Sequence, residues 1–204
     1  MNDHYFTSKP SAASKPVEFQ AELRGRTYVF QTDTGVFSKG ELDMGSRILI
    51  ETMSLRRGDR VLDLGCGYGP LGLVAADLVG PLGKVYMVDV NERAGELARE
   101  NMAKNGITNA QIFVGNGIQA LPPGLRFDAV LSNPPIRAGK AVFYPLLSEA
   151  YHILKPGGCL WVVIRTKQGA KSLQAYLEEL AGSCQTMAKK AGFRVLKCCK
   201  QLHT

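Results

Sequence analysis

Arg60-Val61-Leu62-Asp63-Leu64 runs straight into Gly65-Cys66-Gly67-Tyr68-Gly69-Pro70-Leu71-Gly72, and this junction decides the fold. A short, mostly apolar run followed by a glycine-punctuated turn and a helix-compatible stretch reads as a buried parallel strand feeding a helix. The glycines let the backbone turn sharply and come close to a ligand. Gly67-x-Gly69-x-x-Gly72 has the spacing of a dinucleotide fingerprint, which alone is a weak signal. Asp63 argues against that ligand, because a carboxylate inside the turn would repel a diphosphate. A cationic ligand with a free amino group suits the acid better.

Outward from the junction the same rhythm recurs. Apolar strands are expected near 60–64, 84–88, 110–114, 127–132 and 159–164, alternating with helices near 71–79, 91–104, 140–154 and 170–181. That alternation specifies an α/β fold, a doubly wound and mostly parallel sheet. Asn91 ahead of Glu92 is a helix start, and Lys104-Asn105-Gly106 a stop. The end breaks the rhythm: 183–190 and 193–200 read as strands separated only by Ala191-Gly192, a hairpin that adds an antiparallel strand to the sheet. Residues 17–31, with Arg24-Gly25-Arg26 in the middle, read as a second hairpin, and 43–53 as a helix. Residues 1–16, rich in Ser, Pro, Lys and Ala, are expected to form a flexible tail. The remainder, 17–204, reads as one domain with an N-terminal hairpin extension over 17–40.

Bulk properties agree. A chain of 204 residues with 45% hydrophobic and 21% charged content can bury one sizeable core. No apolar run reaches the ~20 residues of a membrane span, and Met1-Asn2-Asp3-His4-Tyr5 lacks a signal-peptide core, so a cytoplasmic protein is expected. The cysteines at 66, 159, 184, 198 and 199 show no CxxC pair, and reduced thiols are expected, with Cys198 and Cys199 on opposite faces of a strand. His4, His152 and His203 are scattered, without triad-like spacing. The net charge is +7, and from Arg165 onward eight Lys/Arg face two Glu, which points to a polyanion-facing side. A solvated basic surface would show the same excess.

Three strand ends carry polar groups where ligands bind in open α/β sheets. Asp89, 26 residues after Asp63, can accept both hydroxyls of a ribose, with Val90 next to it. Asn116, followed by Gly117, can pair with an adenine edge through its donor and acceptor faces. Asn133-Pro134-Pro135-Ile136 follows the strand at 127–132, and its prolines remove two backbone donors. Such a loop offers carbonyls and holds a donor. Each acid or amide alone would also serve as a cap or turn residue.

Asp63-Leu64-Gly65-Cys66-Gly67, Asp89 and Asn133-Pro134-Pro135-Ile136 together resemble the class I S-adenosylmethionine-dependent methyltransferases over residues 20–200. Gly35-Val36-Phe37-Ser38, followed by Leu42-Asp43-x-Gly45-Ser46, resembles more narrowly the "small" methyltransferase domain of the RsmC group. Members of that group methylate an exocyclic amino group of guanine in small-subunit ribosomal RNA. Arg137-Ala138-Gly139-Lys140 and Thr166-Lys167-Gln168-Gly169-Ala170-Lys171 look closer still to its single-domain relatives. The resemblance implies a Rossmann-like seven-stranded sheet, S-adenosylmethionine as cofactor, S-adenosylhomocysteine as product, no metal, and RNA as partner. It places cofactor contacts at Asp63, Gly65, Cys66, Gly67, Asp89, Val90, Asn116, Gly117 and Asn133, and catalysis at Asn133, Pro134 and Pro135. Two departures stand out. RsmC proper carries a second, degenerate copy of the domain, so RNA docking is expected to differ here. Ile136 stands where many amino-directed relatives have an aromatic residue, and it offers no π-stacking.

The expected chemistry is methyl transfer to an exocyclic amino nitrogen, a poor nucleophile until reoriented. The Asn133 side-chain oxygen and the Pro134 carbonyl would each accept one amino hydrogen, aiming the nitrogen lone pair at the methyl carbon. A cysteine-based carbon methylation is disfavoured, because no cysteine follows Pro134 in the loop. A base in structured RNA must be unstacked into the pocket. Phe37 is then a candidate stacking wall, although its ring would equally suit a core, and Ile136, Arg137 and Lys140 are the other candidate substrate contacts. Alternatives are methylation of a protein glutamine, as in release factors, methylation of a tRNA adenine, and a non-catalytic RNA-binding module.

Overall fold

A computed structural model describes residues 13–36, 40–134, 136 and 139–202. The chain opens with an antiparallel hairpin, β1 (Val17–Leu23) and β2 (Arg26–Thr32), joined by Arg24 and Gly25, both with positive φ. Helix α1 (Met44–Thr52) follows, capped by the Asp43 carboxylate on the Ser46 N–H. Then β3 (Arg60–Leu64), α2 (Pro70–Val79), β4 (Lys84–Asp89), α3 (Glu92–Lys104), β5 (Ala110–Val114), β6 (Phe127–Ser132), α4 (Lys140–His152), β7 (Leu154–Arg165), α5 (Ala170–Ala181), β8 (Gln185–Lys190) and β9 (Phe193–Cys199) complete it.

The main sheet has seven strands in the order β5-β4-β3-β6-β7-β9-β8. β3 to β7 are parallel, and β9 and β8 close the edge antiparallel. The fold class and the C-terminal hairpin are therefore as expected. The chain steps outward from β3 through β5 and then crosses to β6 on the other side of β3, so the switch point lies between the ends of β3 and β6. The Ser132 hydroxyl donates to the Leu64 carbonyl at 3.0 Å and ties those ends together.

Alternation along the strands divides the core. Val61, Val85, Leu131, Trp161 and Val195 face α1, α2 and the hairpin side, whereas Leu62, Tyr86, Val130, Val162 and Leu196 face the side of α4 and α5. Gly72 shows why the third glycine of the junction is needed. A Cβ there would lie 2.3 Å from the Met87 sulfur, so the residue serves helix-on-strand packing.

Two features go beyond the sequence reading. The outer edge of β2 is closed by side chains of α3. Asn101 accepts from the Gln31 N–H at 2.7 Å and donates to its carbonyl at 2.9 Å, and Asn105 does the same for Val29 at 3.0 and 2.7 Å. Two amides one helical turn apart thus imitate a neighbouring strand. β7 is also longer than expected, because Leu154 already pairs with Phe127 ahead of an irregularity before Cys159.

The cysteines need a correction. Cys159 and Cys199 are directly opposed across β7 and β9 and form a disulfide, where reduced thiols were expected. The pairing depends on cross-strand register, which spacing along the chain does not reveal. Cys198 does face the other side, where its sulfur lies 2.7 Å from that of the buried Cys184.

Candidate functional site

The carboxyl ends of β3, β4, β5, β6 and β7 open into one cavity of about 1020 Å³. Small-ligand pockets run to roughly 300–1,000 Å³, so this one has room for a ligand and part of a second reactant. Of the residues singled out from the sequence, Gly65, Cys66, Gly67, Asp89, Val90, Asn116, Gly117, Asn133, Pro134 and Ile136 line it. Phe37, Pro135 and Arg137 lie outside the described residues.

On the β3–β4–β5 side the walls are strand ends and glycine turns held by one carboxylate. Asp89 takes the Gly67 N–H on one carboxylate oxygen at 2.8 Å and the Asn91 N–H on the other at 2.9 Å. The carboxylate keeps acceptor capacity for a hydroxyl donor. Burial raises its carboxyl above the usual range, and the N–H groups of Asn91, Gly67 and Val90 pull it back. Asn116 is exposed at the rim, precedes a 3-10 turn over Gly117–Ala120, and makes no capping bond there. Its amide is thus left to face a ligand. Asn91 caps α3 and donates to the Gly35 carbonyl at 3.0 Å, which holds Val36 against the cavity.

Asp63 departs from expectation. It is fully buried and does not line the cavity; Oδ2 accepts from the Gly72 N–H at 2.8 Å, and Oδ1 has no partner. Odd-numbered residues of β3 point under α2, so the side chain is directed into the layer behind the turn. Burial pushes its carboxyl up to about 7, the Gly72 N–H opposes this, and the Asp89 charge adds to it. A cation bound over Gly65 and Gly67 would feel this acid only through the loop. Cys66 lines the cavity, but burial and then the charges of Asp89 and Asp63 hold its thiol well above the usual range. A thiol held up in this way is a poor nucleophile.

The β6–β7 side is built from side chains. Asn133 Nδ2 donates to Asp43 Oδ1 at 3.0 Å and to Ser46 Oγ at 3.1 Å. A carboxylate only accepts, so this network fixes which way the amide points. Asn133 Oδ1 is left for a donor in the cavity. The Pro134 carbonyl accepts the Ile136 N–H at 2.9 Å, which the sequence reading had not foreseen, and keeps one lone pair free. Lys140 does not line the cavity; its ammonium donates to Ser172 Oγ at 2.6 Å. Sequence reasoning missed Met44, Val142, Arg165, Gln168 and Phe193, which complete this wall. The basic run from Arg165 was a signal for one of them. Phe193 gave none, because its place depends on β9 pairing with β7. Among the described residues no group of three or more His, Cys, Asp or Glu could hold a metal.

Comparison with known proteins gives a consistent picture. Residues 27–197 match the family model described as "Methyltransferase small domain". The chain is 42% identical over 199 residues to "Uncharacterized protein YbxB" of Bacillus subtilis (strain 168), covering 97% of this chain and 98% of that one. It is 36% identical to ribosomal RNA small subunit methyltransferase C of Pseudomonas syringae pv. syringae (strain B728a), over 87% of this chain and 52% of the relative. It is 33% identical to ribosomal RNA large subunit methyltransferase G of Shewanella amazonensis (strain ATCC BAA-1098 / SB2B), over 94% and 50%. The solved T. thermophilus 16S rRNA N2 methyltransferase RsmC, in complex with AdoMet and guanosine, superimposes with a TM-score of 0.83 at 31% identity, covering 94% of this chain and 52% of that one. The chain spans about half the length of the ribosomal RNA methyltransferases it matches.

Proposed function

Because this chain belongs to the methyltransferase small domain family, a class dependent on S-adenosylmethionine, we propose that it methylates an exocyclic amino group of a base in RNA, with guanine in small-subunit ribosomal RNA as the favoured acceptor. The observation that carries this reading is the pinned amide of Asn133. With Nδ2 committed to Asp43 and Ser46, the group offered to the cavity is an acceptor, as an amino nitrogen requires.

The residues present fit the cofactor. Asp89 retains acceptor capacity for ribose hydroxyls, Asn116 an uncommitted amide for an adenine edge, and the backbone of Gly65 and Gly67 room for a close approach. When bound, S-adenosylmethionine supplies an electrophilic methyl group. The contribution of this chain is positioning. Asn133 Oδ1 and the remaining lone pair of the Pro134 carbonyl each take an amino hydrogen, which favours a pyramidal nitrogen facing the donor. No strong base is needed in the loop, because the amino proton becomes acidic only as the new bond forms. The raised Cys66 thiol speaks against a covalent route to a ring carbon.

The large-subunit relative keeps a second ribosomal RNA substrate in view. Incubation with radiolabelled S-adenosylmethionine and, separately, naked ribosomal RNA, each ribosomal subunit, tRNA and a release-factor protein decides between them. Label in small-subunit RNA is the expected result. Label only in protein would overturn the reading.

A further inference from the structure

Part of the basic excess of the last 40 residues lies at the cavity end of the sheet, while Lys197 and Lys200 lie away from it. Arg165 closes β7, pairs with Phe193 at the start of β9, and Phe193 pairs with Lys190 at the end of β8, so all three lie level with the cavity mouth. Lys189 stands one step behind. The chain between Arg165 and α5 adds Lys167 on the same rim. Glu178 and Glu179 lie in the last turns of α5, which ends with Gly182 beside Gln201 at the opposite end of the sheet. Arg165, Lys167, Lys189 and Lys190 are exposed, and none is ion-paired among the described residues.

Arg165 does more than carry charge. Its guanidinium sits over the Phe193 ring, 4.7 Å from the centroid. The ring itself is 7% exposed and rests on Gly45 of α1, where a Cβ would come within 2.9 Å of it. Phe193 is thus too covered to stack a base, whereas the Arg165 guanidinium above it is exposed. Guanidinium planes stack on unpaired bases, and a lysine-lined edge follows a phosphate backbone.

We infer that single-stranded RNA docks across the β7–β9–β8 side of the mouth, with Arg165 as the stacking platform for a base near the acceptor and Lys167 and Lys190 as phosphate contacts, Lys189 being directed to the other face of β8. This surface supplies the π-face that Ile136 lacks. It rests on the reading that the acceptor is an RNA base. An acidic protein segment would use the lysines but not the stacked plane.

The test is fluorescence anisotropy of a labelled single-stranded oligoribonucleotide of about 12 nucleotides across a salt series, with sodium polyglutamate as competitor. Lys167→Ala with Lys190→Ala should reduce the slope of log affinity against log salt by about 1.4, two phosphates' worth, with S-adenosylmethionine affinity unchanged. Arg165→Ala should weaken binding about 10-fold, and Arg165→Lys should recover only a small part of that. Arg56→Ala with Arg57→Ala, the same charge change ahead of β3 at the other end of the sheet, should leave most of the affinity. Equal loss in that control, wild-type binding by Arg165→Lys, or equal competition by polyglutamate would overturn the surface while leaving the proposed reaction standing. A wild-type chain that methylates protein and binds no RNA would overturn both.

Discussion

The two halves of the cavity are built by different means. The β3–β4–β5 half is tied together by one carboxylate: Asp89 accepts from the backbone of Asn91 and Gly67, two and 22 positions away. The β6–β7 half presents side chains held over long distances, as when Asn133 is fixed by Asp43 and Ser46, 90 and 87 positions away. The first half is set by the strand-turn-helix geometry of two neighbouring strand ends, and the second by tertiary contacts between segments far apart in the chain. Cofactor binding and acceptor positioning should therefore fail separately.

The largest expected effect separates them outright. Asn133→Ala should lower kcat about 100-fold with S-adenosylmethionine affinity by calorimetry unchanged, since it removes positioning and no cofactor-side backbone. Retention of full turnover would show that the loop acts through its prolines alone. On the other side, Asp89→Ala should weaken S-adenosylmethionine about 10- to 100-fold, the worth of charge-assisted hydrogen bonds. An affinity within twofold of wild type would place the ribose elsewhere.

Asp43 offers a finer cut, because it does two jobs. It caps α1 and it holds Asn133. Asp43→Asn keeps both roles, whereas Asp43→Ser keeps a good cap but is too short to reach the amide. The serine variant should melt near the wild-type temperature and lose about 10-fold in kcat, with KM for S-adenosylmethionine unchanged. Protection of the Asn133 side-chain N–H signals in NMR should fall in parallel. Equal kcat for the serine and asparagine variants would show that Asp43 is a cap alone.

An effect on stability rather than on turnover concerns Asp63. Its folded pKa is raised from 3.8 to about 7, so the folded chain holds a proton that the unfolded chain releases in that window. This contribution to stability therefore falls as pH rises from about 4 to 7 and levels off above. Thermal melts of Asp63→Asn should gain on wild type across that window. A constant difference at all pH values would mean that Asp63 is ionised throughout.

The same contrast explains what the sequence revealed. Strand-helix alternation, the glycine turn, Asp89 and the Asn133 loop were legible because each is a local pattern with a local cause. Asp63 was read as facing the ligand because its place in the turn was clear but the phase of β3 was not weighed. Phe193 and the Cys159–Cys199 pair were hidden for a common reason. Each depends on the register of β9 against β7, a non-local pairing that sets which residues share a face. The Asn101 and Asn105 ladder on β2 was likewise invisible, since α3 reads as a helix whichever strand it serves.

If Asn133 presents an acceptor to an amino nitrogen of an RNA base, the methyl group must end on that nitrogen. Mass mapping of ribosomal RNA after incubation with wild type and labelled S-adenosylmethionine tests it most directly. The account predicts a methyl group on the exocyclic nitrogen of a guanine, lost with Asn133→Ala. A methyl group on a ring carbon or a ribose oxygen would contradict it.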